Sequence, residues 1–320
     1  MKRKGIVLAG GAGTRLYPMT RVTPKALLPV YDKPMIYYPL TTLMQAGIRD
    51  ILLITTPEAE ESFRCLLGDG TRWGIALTYA VQLKPEGLAQ ALIIAEAFLA
   101  GAPSCLVLGD NLLHGRGVTS ALRRAARRSD PGATVFAFRV GDPERYGVVA
   151  FDENDRATSL EEKPSRPRSD WAVIGVYFYD ATAPIRAAGL APSARGEYEI
   201  TDLNRTYLDE GTLGVERLES DSAWFDAGTH ESLLEAAKYV RLVQRRQRQL
   251  VGAPEEAAFA AGWIDDDTLV RQARMLSGTE YGRMLAVRQS DARARKPANL
   301  SKAAPCVGAL GERAIDAESA

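Results

Sequence analysis

The segment that most constrains this chain lies at its start, where Lys4-Gly5-Ile6-Val7-Leu8-Ala9 runs straight into Gly10-Gly11-Ala12-Gly13-Thr14-Arg15-Leu16. An apolar run that ends in clustered glycines reads as a strand entering a tight turn. Glycines reach dihedrals that other residues avoid and keep side chains out of the way, so backbone N–H groups can converge there on an anion. Arg15 adds a planar fork of donors suited to phosphate oxygens. Downstream, Pro24-Lys25-Ala26-Leu27-Leu28-Pro29-Val30 places a lysine in an apolar, proline-bracketed segment. These features together point to a site for a polyphosphate such as a nucleotide.

Two other glycine motifs fail on this sequence. A Walker A loop needs Gly-Lys-Ser/Thr at its end, and none follows here. The dinucleotide fingerprint G-x-G-x-x-G, counted from Gly11, meets Gly13 but then Leu16. Its expected acid has only Asp32 to supply it, among prolines rather than at the end of a second strand.

Short apolar runs alternate with longer helical patterns through the first half, the mark of an α/β sheet. Strands are expected over 5–9, 51–55, 77–82, 105–108 and 134–138, with helices near 34–46, 57–67, 88–99 and 116–128. Between 146 and 180 the strands become closely spaced (147–151, 157–161, 172–179), which suggests a mixed sheet or an inserted subdomain. Helices resume near 183–189 and 199–210, and a last strand leads into Trp224-Phe225-Asp226. Thr229 suits a helix cap. In the helix after it, Leu233, Ala237, Val240 and Gln244 share one mostly apolar face, while Arg241, Arg245 and Arg248 line a face read as solvated. Residues 254–287 suggest two or three short helices, and 288–320, poor in large apolar residues, a disordered tail.

Lys+Arg and Asp+Glu balance at 40 each, which removes any global electrostatic case for nucleic acid or a membrane surface. Cys65, Cys105 and Cys306 lack metal spacing and cannot all pair, which favours a reducing, cytoplasmic setting. No signal peptide and no apolar run long enough for a bilayer are evident.

Further signatures extend the opening motif. They include Asp32-Lys33-Pro34-Met35-Ile36-Tyr37-Tyr38-Pro39-Leu40, Gly87-Leu88-Ala89-Gln90-Ala91, Val107-Leu108-Gly109-Asp110-Asn111 and Asp142-Pro143-Glu144-Arg145-Tyr146-Gly147-Val148. Later come Glu161-Glu162-Lys163-Pro164, Tyr177-Phe178-Tyr179-Asp180, Ser193-Ala194-Arg195-Gly196-Glu197, Glu199-Ile200-Thr201-Asp202 and Trp224-Phe225-Asp226-Ala227-Gly228-Thr229. In this order, over residues 3 to 285, the chain resembles the sugar-1-phosphate nucleotidyltransferases, in their glucose-1-phosphate thymidylyltransferase branch.

The resemblance implies a Rossmann-like, mainly parallel sheet flanked by helices. It implies a catalytic core over 1–228 with a sugar-binding part from about 140, followed by a helical region over 229–287. It also implies Mg²⁺ as cofactor, dTTP (or UTP) and glucose 1-phosphate as substrates, and a homotetramer. Arg15, Lys25 and Asp110 take the catalytic roles. Leu8, Gly10, Gly11, Gly13, Thr14, Arg15, Gln82, Gly87 and Leu88 bind the nucleotide. Asp110, Gly147, Glu162, Lys163, Val173, Gly175 and Arg195 serve the sugar phosphate, and Asp110 with Asp226 holds the metal.

The chain departs from the branch at Pro24 and Ala26 (usually Ser and Gln), at Ile174 and Ala227 (usually Thr), and at His114 and Arg116 (usually Tyr and His). Close relatives also bind a dTDP-deoxysugar at a second, regulatory site, where a late Glu-Glu-x-Ala-aromatic run ends in Arg. Here Glu255-Glu256-Ala257-Ala258-Phe259 is followed by Ala260, so weak feedback is expected, with Arg116 as a partial substitute.

Overall fold

The computed structural model describes residues 1–219 and 221–295. Strand β1 (Lys4–Leu8) leads through the glycine turn to a short hairpin, β2 (Pro29–Val30) and β3 (Lys33–Pro34), and then to α1 (Tyr37–Gln45). Next come β4 (Asp50–Thr55), α2 (Glu60–Leu67), β5 (Ala76–Val81), α3 (Gln90–Ile94), α4 (Glu96–Leu99) and β6 (Ser104–Leu108). After β7 (Asn111–Gly115), α5 (Val118–Arg127) and β8 (Ala133–Arg139) follow β9 (Gly147–Phe151), β10 (Ala157–Glu162) and β11 (Trp171–Tyr179). The chain continues with α6 (Ala183–Ala188), α7 (Ile200–Asp209), β12 (Leu213–Arg217) and β13 (Ser222–Asp226). Its last described elements are α8 (His230–Gln247), α9 (Pro254–Ala260), α10 (Asp266–Met275) and α11 (Glu280–Arg295).

Nine strands form one mixed sheet. β1 lies near its centre, parallel to β4 and β6, and β5 closes that edge beside β4. Both faces of β1 are covered, which is why its residues read as an unbroken apolar run. Val7, Leu53 and Val107 point to one side, against Leu40, Phe63 and Leu122. Ile6, Leu52 and Leu106 point to the other, against Leu92, Leu203 and Tyr207.

The region of closely spaced strands joins this same sheet. The C-terminal half of β11 pairs antiparallel with β6, its N-terminal end meets β9, and β8 runs along its other edge. Register shifts between Val173 and Tyr177, and Gly175 sits in that irregularity. A Cβ on Gly175 would lie 2.7 Å from Leu108 Cγ and 2.8 Å from Asn111 Cγ, so only glycine fits.

Several sequence expectations change. The helix expected over 88–99 is two short ones, α3 and α4. β7 and β12 were not foreseen, nor was the β2–β3 hairpin; β12 joins the main sheet beside β8, and β7 pairs with β13 as a separate antiparallel ribbon, Asn111 opposite Asp226. Of the tail expected over 288–320, residues 288–295 are instead the last turns of α11; the remainder, 296–320, lies outside the described residues. Thr229 does cap α8, in a capping box with Ser232. Among the described residues no helix is long and apolar enough to cross a membrane.

Candidate active site

β1 ends beneath the glycine turn. Leu8 is buried and its carbonyl accepts from the Gly109 N–H at 2.8 Å, so it supports the turn from below. Gly11 and Gly13 have φ of 96° and 59°, the left-handed side that favours glycine. The Gly13 carbonyl accepts from Thr20 Oγ1 at 2.7 Å and from the Leu16 N–H at 2.9 Å, which tightens the single turn Thr14–Leu16. Leu16 is buried as the anchor of this turn, leaving Thr14 and Arg15 exposed.

The Arg15 guanidinium crosses to the other end of the site. A Cβ on Gly228 would stand 2.9 Å from Arg15 Nη2 and 2.9 Å from Asp226 Oδ1. Bare backbone at 228 therefore makes the space in which the arginine lies beside that carboxylate. Lys25, on a short turn after Pro24, forms an ion pair and hydrogen bond with Asp110.

Asp110 and Asp226 come together because the β7–β13 ribbon sets Asn111 opposite Asp226, and the Ala227 N–H donates to the Asp110 carbonyl at 3.0 Å. Burial alone would raise the pKa of Asp110; the Lys25 ammonium, and hydrogen bonds from Lys25 and Asn111, outweigh it and hold it below the usual value. Asp226 goes the other way. Burial and then the negative charge of Asp110 push it up, against the pull of Lys25, Arg15 and Arg145.

Asn111 is the residue that sequence reasoning quoted without giving it work. Its amide donates to Asp110 Oδ1 at 2.8 Å, while its oxygen accepts from Trp224 Nε1 at 2.6 Å and from the Gly175 N–H at 3.1 Å. One side chain thus ties a carboxylate to the ribbon and to the break in β11. No spacing in the sequence announces such a hub.

A second group gathers at the end of β10. Glu162 accepts from Thr201 Oγ1 at 2.6 Å and lies 3.3 Å from Lys163 Nζ and 3.5 Å from an Arg195 nitrogen. Lys163 adopts φ of 43°, unusual for a side-chain-bearing residue, with its N–H on the Tyr146 carbonyl at 3.0 Å. Arg195 is held mainly by Glu199, at 2.8 Å, a partner the sequence did not suggest. Gly147 packs close to this group, since a Cβ there would meet Thr201 Oγ1 at 2.9 Å. Val173 is buried in the strand behind. The buried Tyr177 hydroxyl is raised in pKa by burial first, then by the charges of Glu162, Asp110 and Asp226.

On the other side of the glycine turn a cleft of about 410 Å³ is lined by Gly11, Ala12, Lys25, Gln82 and Pro85. A Cβ on Gly10 would come within 2.3 Å of Gln82 Oε1, so Gly10 makes room for that side chain. Gly87, at φ 107°, lies against the main chain of Tyr198, and Leu88 packs partly buried beside it. Its glycine is required there for close backbone approach.

The carboxylate pair suits a hard divalent cation. Among the described residues no cluster of three or more metal-ligating side chains occurs, so the chain offers two oxygen donors at this point. That is the arrangement Mg²⁺ accepts when phosphate oxygens and water complete its shell. The like-charge repulsion that raises Asp226 is what a bound cation would relieve.

Residues 4–242 match the family model described as nucleotidyl transferase. A glucose-1-phosphate thymidylyltransferase of Xanthomonas campestris is 57% identical over 284 residues, spanning 89% of this chain and 96% of its own length. One of Mycobacterium tuberculosis is 53% identical over 88% of this chain and 97% of its own. Among solved structures, a Bacillus anthracis chain named as a candidate glucose-1-phosphate thymidylyltransferase, in complex with a sucrose, matches with a TM-score of 0.69 at 42% identity. It covers 75% of this chain and 95% of that one. A UDP-glucose pyrophosphorylase complexed with UDP-glucose, at 24% identity and a TM-score of 0.66 over 77% of this chain and all of that one, shares the fold. The chain belongs to the nucleotidyl transferase family, alongside its glucose-1-phosphate thymidylyltransferase relatives.

Proposed function

We propose that this chain joins dTTP and α-D-glucose 1-phosphate, with Mg²⁺, to give dTDP-glucose and pyrophosphate. The observation that carries the reading is the meeting of Arg15, Lys25, Asp110 and Asp226 beside the glycine turn, in a chain 57% identical to relatives named for that reaction. An oxygen of the sugar phosphate forms a bond to the α-phosphorus, and the bond from that phosphorus to the departing pyrophosphate breaks. Both partners are anions, so repulsion is the main obstacle and positioned cations with in-line alignment are the remedy.

In this reading the glycine-turn amides and Arg15 hold the triphosphate, and Lys25 keeps a positive charge beside the α-phosphate. Asp110 and Asp226 would hold Mg²⁺, which when bound supplies neutralisation of phosphate oxygens. Lys163 and Arg195 take the sugar phosphate, and Glu162, with its orientation set by Thr201, accepts from a sugar hydroxyl. Gln82 faces the base. The test is a matrix of dTTP, UTP and other nucleotides against glucose 1-phosphate and other hexose 1-phosphates, read by pyrophosphate release. Absence of release from every pair would end the reading.

The division of labour among the cations can be tested separately. Arg15→Ala should weaken dTTP binding by about tenfold or more and leave glucose 1-phosphate nearly unaffected; Lys163→Ala should do the reverse. Calorimetric titration of each ligand decides it, and unchanged sugar-phosphate affinity in Lys163→Ala removes that residue from its role.

The regulatory expectation also takes a concrete form. His114, Glu256, Ala257 and Ala260 line one cavity of about 220 Å³, together with Arg123. Arg116, expected as a substitute cation, is absent from that lining, and Arg123 stands there instead. His114 is half-buried, its Nδ1 at 2.8 Å from the Tyr239 hydroxyl, and burial lowers its pKa, so it adds little positive charge at neutral pH. Inhibition by dTDP-rhamnose should be weak in the wild type and strengthened by Ala260→Arg. Potent wild-type inhibition, non-competitive with both substrates, would overturn this.

A further inference from the structure

A glutamine amide has two ends of nearly equal shape, one accepting and one donating, and half a turn exchanges them. Gln82 lines the cleft beside the glycine turn and is only 4% exposed. Its orientation follows from neighbours whose polarity is unambiguous. The Glu86 main-chain N–H donates to the Gln90 side chain at 3.1 Å, so the receiving atom must be oxygen. The other Gln90 terminus lies 2.7 Å from Glu86 Oε2; an ionised carboxylate only accepts, so that terminus must be nitrogen. Gln82 approaches the same Gln90 oxygen at 2.6 Å and must therefore present Nε2 to it. Its Oε1 is turned toward bare Gly10, and no hydrogen bond among the described residues ends on it.

We propose that Gln90, anchored by Glu86, locks the Gln82 amide with its oxygen toward the cleft, so that the site takes a pyrimidine bearing N3–H (thymine or uracil) and rejects cytosine. This rests on the reading of the cleft as the nucleotide's base site. Thymine and uracil offer an N3–H flanked by carbonyls. Gln82 Oε1 accepts from it, and the second Nε2 hydrogen is left for a ring carbonyl. Cytosine presents a bare N3 next to an amino group, which sets lone pair against lone pair. An amide free to turn over would read cytosine equally well. The discrimination therefore belongs to Gln90 and Glu86 as positioning residues, and the lock does not separate thymine from uracil.

The experiment measures kcat/KM for dTTP, UTP, dCTP and CTP with glucose 1-phosphate, in the wild type and two variants. The wild type should prefer dTTP over dCTP, and UTP over CTP, by about 100-fold or more. Gln90→Met should shrink that ratio by about tenfold or more, chiefly through better use of the cytosine nucleotides. The exchange Glu86→Gln with Gln90→Glu keeps an acceptor toward Gln82 and a donor–acceptor pair between 86 and 90, and should restore the ratio. An unchanged ratio in Gln90→Met, or an exchange variant no more selective than Gln90→Met, overturns the lock. Competition in the wild type needs no variant to fold: dCTP that competes with dTTP as well as dUTP does also overturns it. Gln82→Ala separates the underlying reading, because dTTP and UTP use unaffected by that change would mean that Gln82 does not meet the base at all.

Discussion

Asp110→Asn and Asp226→Asn should each lower kcat by about 100-fold or more at saturating substrates, with a much smaller change in nucleotide KM. Both side chains keep their shape in these variants, lose the negative charge and exchange one accepting oxygen for a donating NH2. Asp110 is bonded to Lys25 and Asn111 on one side and faces Asp226 across the end of the β7–β13 ribbon. Its charge is stabilised by the lysine, while that of Asp226 is destabilised by burial and by Asp110. Two half-buried carboxylates placed together repel each other unless cations share them. Chelation should abolish activity, and added Mg²⁺ should restore it in the wild type and only poorly in either variant. Near-normal turnover of both variants would remove the pair from the metal role.

Asp32→Ala should destabilise the fold by about 3–5 kcal/mol, and adding Lys33→Met should recover most of that loss. Lys33 is 4% exposed at the tip of the β2–β3 hairpin, paired with Asp32. Gln244 of α8 bridges the pair, donating to Asp32 Oδ2 at 2.8 Å and accepting from Lys33 Nζ at 3.2 Å. The Tyr38 and Tyr281 rings lie 5.3 and 5.1 Å from the ammonium. Burial lowers the Lys33 pKa, against the pull of Asp32 and then Glu255 and Glu256. Removing Asp32 takes away the ammonium's hydrogen-bonded partner and leaves it only the more distant charges of Glu255 and Glu256, whereas removing both charges leaves no unpaired ammonium, with Gln244 still accepting from the Val251 N–H. Urea unfolding of the single and double variants measures the difference. A double variant as unstable as the single would show that the pair has no such coupling.

Much of this molecule was legible before its structure. The parallel half of the sheet could be read because residues covered on both faces must be apolar throughout, as Ile6, Val7, Leu52, Leu53, Leu106 and Val107 are. The glycine turn was legible because Gly11 and Gly13 occupy backbone conformations that few other residues tolerate. Gln244 was less so. At helical spacing it reads as one more position on a mostly apolar face, yet it is buried in order to satisfy Asp32 and Lys33, which lie more than two hundred residues earlier. β7 was missed because Asn111-Leu112-Leu113-His114-Gly115 has no clear alternation, and its pairing with β13 is a long-range event.

Local chemistry therefore determined the strand, the turn, the cap at Thr229 and which residue types stand ready for phosphate, since each depends on dihedral preference or on neighbours a few residues away. Tertiary structure alone decided which charges meet. Lys25 reaches Asp110, Arg15 lies over Gly228 beside Asp226, and Arg195 approaches Glu162. Hydrogen-bond polarity and the sign of a pKa shift depend on the few ångströms around a group. Most of those distances are set by packing between segments far apart in the chain, which spacing in a sequence does not encode.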